Sequence, residues 1–157
     1  MKRITPFLWF ENQAEEAANY YASIFKNSKV GRITRWGDVG PGPKGSVLTI
    51  EFELDGQDFV GLNGGPEFKF TEAVSFSVEC KNQEEIDYYW DKLSAGGEQG
   101  PCGWLKDKYG LSWQVNPSIL SDMLNDPNPA KANAVMKAML EMKKIVIADL
   151  KKAYDAA

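Results

Sequence analysis

The feature that most constrains what this chain can fold into is an order of elements used twice. Ile4 to Phe10 reads as a β-strand. Glu15 to Phe25 carries Ala17, Tyr20, Tyr21, Ile24 and Phe25 at helical spacing. Asn27 to Trp36, Val47 to Leu54 and Gln57 to Asn63 read as three more strands, the last two joined by an Asp55-Gly56 hairpin turn. The stretch from Gly37 to Gly45 is a turn-rich loop, and Gly64-Gly65-Pro66 breaks the chain. The order then restarts. Ala73 to Cys80 alternates as a strand, and Gln83 to Leu93 is a helix stopped by Gly96-Gly97. Short strands follow near Glu98 to Gln99, Trp104 to Lys106 and Leu111 to Asn116. Phe7, Trp9, Glu15, Glu16, Tyr20, Tyr21 and Ile24 fall opposite Phe76, Val78, Glu84, Glu85, Tyr89, Trp90 and Leu93. The expected fold class is therefore α+β, with tandem βαβββ modules over residues 3–65 and 71–117 forming a curved mixed sheet. Residues 118–157 add a C-terminal helical tail, and the 157 residues make one domain, 1–157.

In that tail, Ala130 to Tyr154 reads as one bent helix or two segments. Its Met136, Met139, Leu140, Met142, Ile145, Ile147 and Leu150 need cover. Either they pack on their own sheet or some of them cover a dimer partner. Glu15-Glu16 and Glu84-Glu85 open their helices, where the dipole favours carboxylates.

Composition removes several function classes. The chain has no histidine, so a Ser-His-Asp or Cys-His triad is impossible within it. A metal site would have to use carboxylates, amides and thiols alone. The net charge is −4 without a basic block, which argues against nucleic acid. No apolar run reaches membrane-spanning length, and the basic start turns acidic at Glu11, Glu15 and Glu16, unlike a signal peptide. Cys80 and Cys102 are too few for a disulfide framework, and a cytoplasmic location is the expectation. Cys102 sits in a Gly100-Pro101-Cys102-Gly103 turn. It is a candidate nucleophile or redox thiol with no histidine to activate it, or a small apolar packing residue.

The run from Cys102 to Pro117, with Gly103-Trp104-Leu105-Lys106-Asp107 and Gly110-Leu111-Ser112-Trp113-Gln114, resembles PhnB-like proteins of the vicinal-oxygen-chelate superfamily. Other members include glyoxalase I, extradiol dioxygenases and bleomycin- or fosfomycin-resistance proteins. Thr5-Pro6-Phe7-Leu8-Trp9-Phe10, Glu15-Glu16-Ala17, Tyr20-Tyr21 and the tail from Ala138 to Ile145 are similar to that family's first strand, first helix and last helix. The resemblance implies a metal held on the first, fourth, fifth and eighth strands. Those positions fall at or near Pro6, Gly61, Ala73 and Gln114, and only Gln114 could ligate anything. The expectation is a site with no metal and no cofactor.

If Gln114 faces a pocket, strand alternation adds Ser112 and Asn116, Ser75 and Ser77, Phe59, Gly61 and Asn63, and in part Glu51 and Glu53. Trp104 would be an aromatic wall. The ligand-binding set is then Asn63, Ser75, Ser77, Trp104, Ser112, Gln114 and Asn116, suited to a neutral or zwitterionic small organic molecule. A solvated concave face with no ligand is the alternative. Phe7, Trp9, Val74, Phe76, Val78 and Trp113 would form the core beneath the helices. The function expected is a metal-free small-molecule-binding homodimer. The alternatives are an enzyme of the superfamily or the demethylubiquinone methyltransferase that some members are labelled. No Gly-rich turn opens a helix to cradle a nucleotide-type cofactor.

Overall fold

The structure, a computed structural model, describes residues 3–157. Met1 and Lys2, where the expected domain and its basic start begin, lie outside the described residues. The chain divides into two compact units, Met1–Phe70 and Thr71–Ala157. Each holds one βαβββ module and its own four-stranded sheet. Among the described residues no helix is long and apolar enough to cross a membrane.

The first unit contains β1 (Phe7–Phe10), α1 (Ala14–Ile24), β2 (Lys29–Arg35), β3 (Val47–Leu54) and β4 (Gln57–Asn63). The sheet order is β1-β4-β3-β2, with β1 parallel to β4 and the other pairs antiparallel. Helix α1 turns Ala14, Ala17, Ala18, Tyr21 and Ile24 inward at three- and four-residue spacing. Its alanines let it lie close to Leu8, Phe10, Ile50, Phe52 and Phe59, all buried. The ring of Tyr21 stacks on Phe52 at 6.2 Å, and Phe52 on Phe59 at 5.4 Å.

The second unit contains β5 (Ser75–Cys80), α2 (Gln83–Ser94), β6 (Glu98–Gln99), β7 (Trp104–Lys106) and β8 (Ser112–Pro117). The order is β5-β8-β7-β6, again with the first pair parallel. Asn82 caps α2 by accepting from the Glu85 amide at 2.9 Å, and Glu85 returns a bond to the Lys81 amide at 2.8 Å. Ile86, Trp90 and Leu93 cover Cys80, Leu105, Trp113 and Val115.

Two expectations about faces are corrected. In the first strand it is Leu8 and Phe10 that lie under the helix, while Phe7 is 58% exposed and Trp9 half-buried. Between β1 and α1 stand three residues, Glu11, Asn12 and Gln13; between β5 and α2 stand two, Lys81 and Asn82. Matching the halves at constant spacing aligned the helices and slipped the strands by one, which reverses every side chain. Val74 precedes its strand and is exposed; Phe76, Val78 and Trp113 do occupy the helix side. On β4, Gly61 also faces α1, because a Cβ there would stand 3.2 Å from the Ala14 side chain. Counted from the parallel pairing, the residue of the first sheet equivalent to Gln114 is Val60.

The tail folds as α3 (Leu120–Leu124), which the sequence pattern did not suggest, then α4 (Pro129–Leu140) and α5 (Ile147–Asp155). No glycine or proline breaks the chain between α4 and α5; tertiary hydrogen bonds do. The Met142 and Lys143 carbonyls accept from the Cys102 and Gly103 amides, each at 2.8 Å. The Gln83 amide group donates to the Ile145 carbonyl at 3.0 Å and accepts from the Ile147 amide at 2.8 Å. Ile145, Leu150 and Val135 are fully buried within the unit, whereas Met136 and Leu140 are exposed.

This clamp has an acid-sensitive member. Asp87 accepts from Gln83 at 3.0 Å and pairs with Lys144 at 2.9 Å. The Gln83 amide first, and then the Lys144 ammonium, hold its carboxyl below the usual 3.8. The folded chain thus binds this proton less readily than the unfolded chain. The contribution is complete above the unfolded value and is lost as pH falls through the lower, folded one. Amide exchange at Ile147, corrected for its intrinsic pH dependence, is expected to accelerate on acidification below about pH 4. Asp87→Asn should remove that step; an unchanged profile in the variant would discount the clamp.

Candidate functional site

The sheet of the second unit has one face under α2 and one open face. Strand pairing sets Ser75 beside Ser112 and Ser77 beside Gln114, with Trp104 opposite Gln114 and Lys106 opposite Ser112. Ser75, Ser77, Trp104, Ser112, Gln114 and Asn116 therefore share the open face. Gln114 donates through Nε2 to Ser75 Oγ at 3.0 Å. Asn116 donates through Nδ2 to Ser77 Oγ at 3.3 Å and, at 3.4 Å, to Gln114 Oε1. These bonds fix which way the amides point and leave a wall of hydroxyls and amides without net charge.

Asn63, expected with this set, is elsewhere. It lies on the helix side of the first sheet, accepting from the Ala14 amide at 2.9 Å and donating to the Val47 carbonyl at 3.1 Å. It satisfies the start of α1, whose own N-cap residue Gln13 supplies no side-chain bond. Its role here is to hold a helix end.

Beside the amide wall, a cleft of about 480 Å3 is lined by Pro101, Cys102, Trp104, Lys106, Ser112 and Glu72 among others. Lys106 and Glu72 form an ion pair at its rim, with Glu98 farther off at 3.9 Å. Hydrogen bonding to Lys106 lowers the Glu72 carboxyl, and hydrogen bonding to Glu72 raises the Lys106 ammonium. The rim thus sets two carboxylates against one ammonium, with Glu72 neutralised by its close partner and Glu98 only loosely held. Ser112 is 1% exposed, and its hydroxyl has no hydrogen-bond partner. A buried hydroxyl left without a partner costs roughly 1–3 kcal/mol. Nothing in the sequence signals this burial.

Cys102 adopts φ 58°, a left-handed backbone for a side-chain-bearing residue, and its thiol side is half-buried. The tail carbonyl of Met142 holds its amide in that conformation. Cys80 is the opposite case: burial, with Glu85 and Glu79 nearby, pushes its thiol up to about 12, so it stays protonated and inert.

The donor set does not suit a divalent ion. Among the described residues no three His, Cys, Asp or Glu side chains come together as a ligand cluster. The open-face neighbours of Gln114 are Ser77 and Trp104, and Val60 is apolar. Strand β4 ends at Asn63, and Gly64-Gly65 leads into a turn and not into a helix. A strand, glycine turn and helix to hold an adenosyl cofactor is therefore lacking there.

A family model described as 3-demethylubiquinone-9 3-methyltransferase matches residues 2–116. Among solved structures, a putative 3-demethylubiquinone-9 3-methyltransferase, PhnB protein, from Bacillus cereus is 40% identical. The match covers 74% of this chain and 100% of that one, with a TM-score of 0.67. The protein PA1353 from Pseudomonas aeruginosa is 19% identical over 74% of this chain and 98% of that one, at a TM-score of 0.62. The fosfomycin resistance protein FosX from Listeria monocytogenes, complexed with Mn(II) and sulfate, is 17% identical over 79% and 98%, at 0.53. These last two share the fold. A comparison with curated proteins finds no match.

Proposed function

The chain belongs to the 3-demethylubiquinone-9 3-methyltransferase family of PhnB-like proteins, in the vicinal-oxygen-chelate superfamily, and from that premise we propose that it binds a neutral small organic molecule without a metal. The ligand lies against the open face of the second sheet. One observation carries this reading: the Ser112 hydroxyl is buried, unpartnered and at the wall of a cleft next to Trp104. A ligand hydroxyl or carbonyl meeting Ser112, with its flat body on the Trp104 indole, recovers the missing hydrogen bond. The Ser75–Gln114 and Ser77–Asn116 pairs extend the polar contact along the sheet. The same reading takes the protein as a cytoplasmic homodimer. Its two unpaired thiols suit a reducing compartment, and Phe7 on the open face of the first sheet offers apolar surface to a partner.

Ser112→Ala tests the proposal because two readouts move in opposite directions. Thermal stability should stay level or rise by up to about 1 kcal/mol, since an orphaned hydroxyl is removed. Binding of small phenols, quinols and aromatic amides, screened by ligand-detected NMR, should weaken by about tenfold. Hits that bind Ser112→Ala as tightly as the parent would place the ligand elsewhere. Metal analysis of the purified protein should find no stoichiometric divalent ion. Tight binding of adenosylmethionine that is lost in Gln114→Ala would instead support the reaction in the family's description.

A further inference from the structure

The first unit holds a second cleft, of about 770 Å3, at the end of its sheet where β1 and β4 finish and α1 begins. Its lining residues include Trp9, Trp36, Pro41, Pro43, Glu11 and Glu15. Among the described residues no lysine or arginine lines it.

Both indoles are fixed where they stand. Trp9 donates through Nε1 to the Gly65 carbonyl at 2.9 Å and meets the edge of Phe68 at 4.9 Å. A Cβ on Gly64 would fall 2.3 Å from the Trp9 ring. A Cβ on Gly42 would fall 2.1 Å from the Trp36 ring. Two loops far apart in sequence thus each place a side-chain-free residue against a tryptophan of the same cleft. Neither ring is buried in the core; both remain half-exposed. The Glu11 carboxylate has only a loose, exposed partner, Lys69 at 3.8 Å, and Glu15 makes no ion pair among the described residues.

Aromatic faces and a carboxylate such as Glu15, which makes no ion pair among the described residues, attract the same ligand chemistry, a positive charge spread over an apolar surface. We propose that this cleft is a binding site for an alkylated organic ammonium ion, its charge over the Trp9 and Trp36 rings and balanced by Glu15. The site draws only on residues of the first unit and does not depend on the function proposed for the second.

The probe is the 2-hydroxyethyl-trimethylammonium ion, compared with its uncharged carbon isostere, 3,3-dimethylbutan-1-ol, by calorimetric titration into the intact protein. Saturable binding of the cation is expected, with the isostere weaker by about tenfold or more. Glu15→Gln should weaken the cation by about five- to tenfold, and Trp36→Leu by more, with circular dichroism unchanged. Ser112→Ala should leave it unaltered. Equal binding of cation and isostere, no saturation for either, or full affinity in both Glu15→Gln and Trp36→Leu would each overturn the proposal.

Discussion

Asp107→Ala is expected to lower the protein's stability by about 3–5 kcal/mol, among the largest losses a single side chain here can cause. Asp107 is 2% exposed, and its carboxylate accepts from at least three donors. One oxygen accepts from the Tyr109 amide at 2.9 Å and from the Leu111 amide at 3.1 Å. The other accepts from the Trp113 indole at 2.9 Å. Alanine leaves all three donors short of a partner, and bonds to a charged acceptor are worth more than neutral ones. The turn it braces is closed by the Gly110 amide on the Asp107 carbonyl and the Asp107 amide on the Leu111 carbonyl, both 2.9 Å. That turn delivers β8, so the loss reaches function: Trp113 sits between Ser112 and Gln114, and freeing its indole loosens the strand that carries the amide wall. Asp107→Asn should cost less but still well over 1 kcal/mol, because its amide nitrogen must point a donor at donors. Urea unfolding followed by tryptophan fluorescence measures both. A loss under about 1 kcal/mol for alanine would mean that water reaches these donors, contrary to the burial described.

How far the sequence reveals each half depends on the contrast between strand faces. On β8 the alternation is unambiguous, with Ser112, Gln114 and Asn116 against Trp113 and Val115. Its orientation is accordingly legible, as are the partners Ser75, Ser77 and Trp104. On β1, Phe7 and Trp9 oppose Leu8 and Phe10, apolar against apolar, so alternation alone cannot choose the buried pair. On β4, Val60 and Leu62 oppose Phe59 and Gly61, with the same result, so that Asn63 falls on the helix side and not on the open face that the alternation suggests. Turn chemistry is local, and it gave the Asp55-Gly56 hairpin and the bounds of β3 and β4. The orphaned Ser112 hydroxyl and the clamp between the tail and Cys102 arise from contacts far apart in sequence, which no periodicity encodes.

The tail gives the second large effect. Its apolar residues can cover their own sheet or a partner. The burial of Ile145 and Leu150 within the second unit assigns those two to the first. Ile145 packs against the Gly103 turn: a Cβ on Gly103 would meet Ile145 Cγ1 at 3.1 Å. Ile145→Ala should therefore cost about 3–4 kcal/mol, since the closely packed surroundings cannot collapse into the space. The effect should extend to the cleft. The Cys102 and Gly103 amides lose their seat when the Met142 and Lys143 carbonyls withdraw, and the left-handed backbone at Cys102 relaxes toward an ordinary conformation. Cys102 should then react with a thiol reagent at least about tenfold faster, while Cys80 under α2 should stay unreactive until global unfolding. Removing everything after Leu140 should reproduce both effects in stronger form. The family match ends at residue 116, so the opposite outcome has a clear meaning. A truncated chain with parental stability and an unchanged Cys102 rate would show that the module folds and shapes its cleft without the tail.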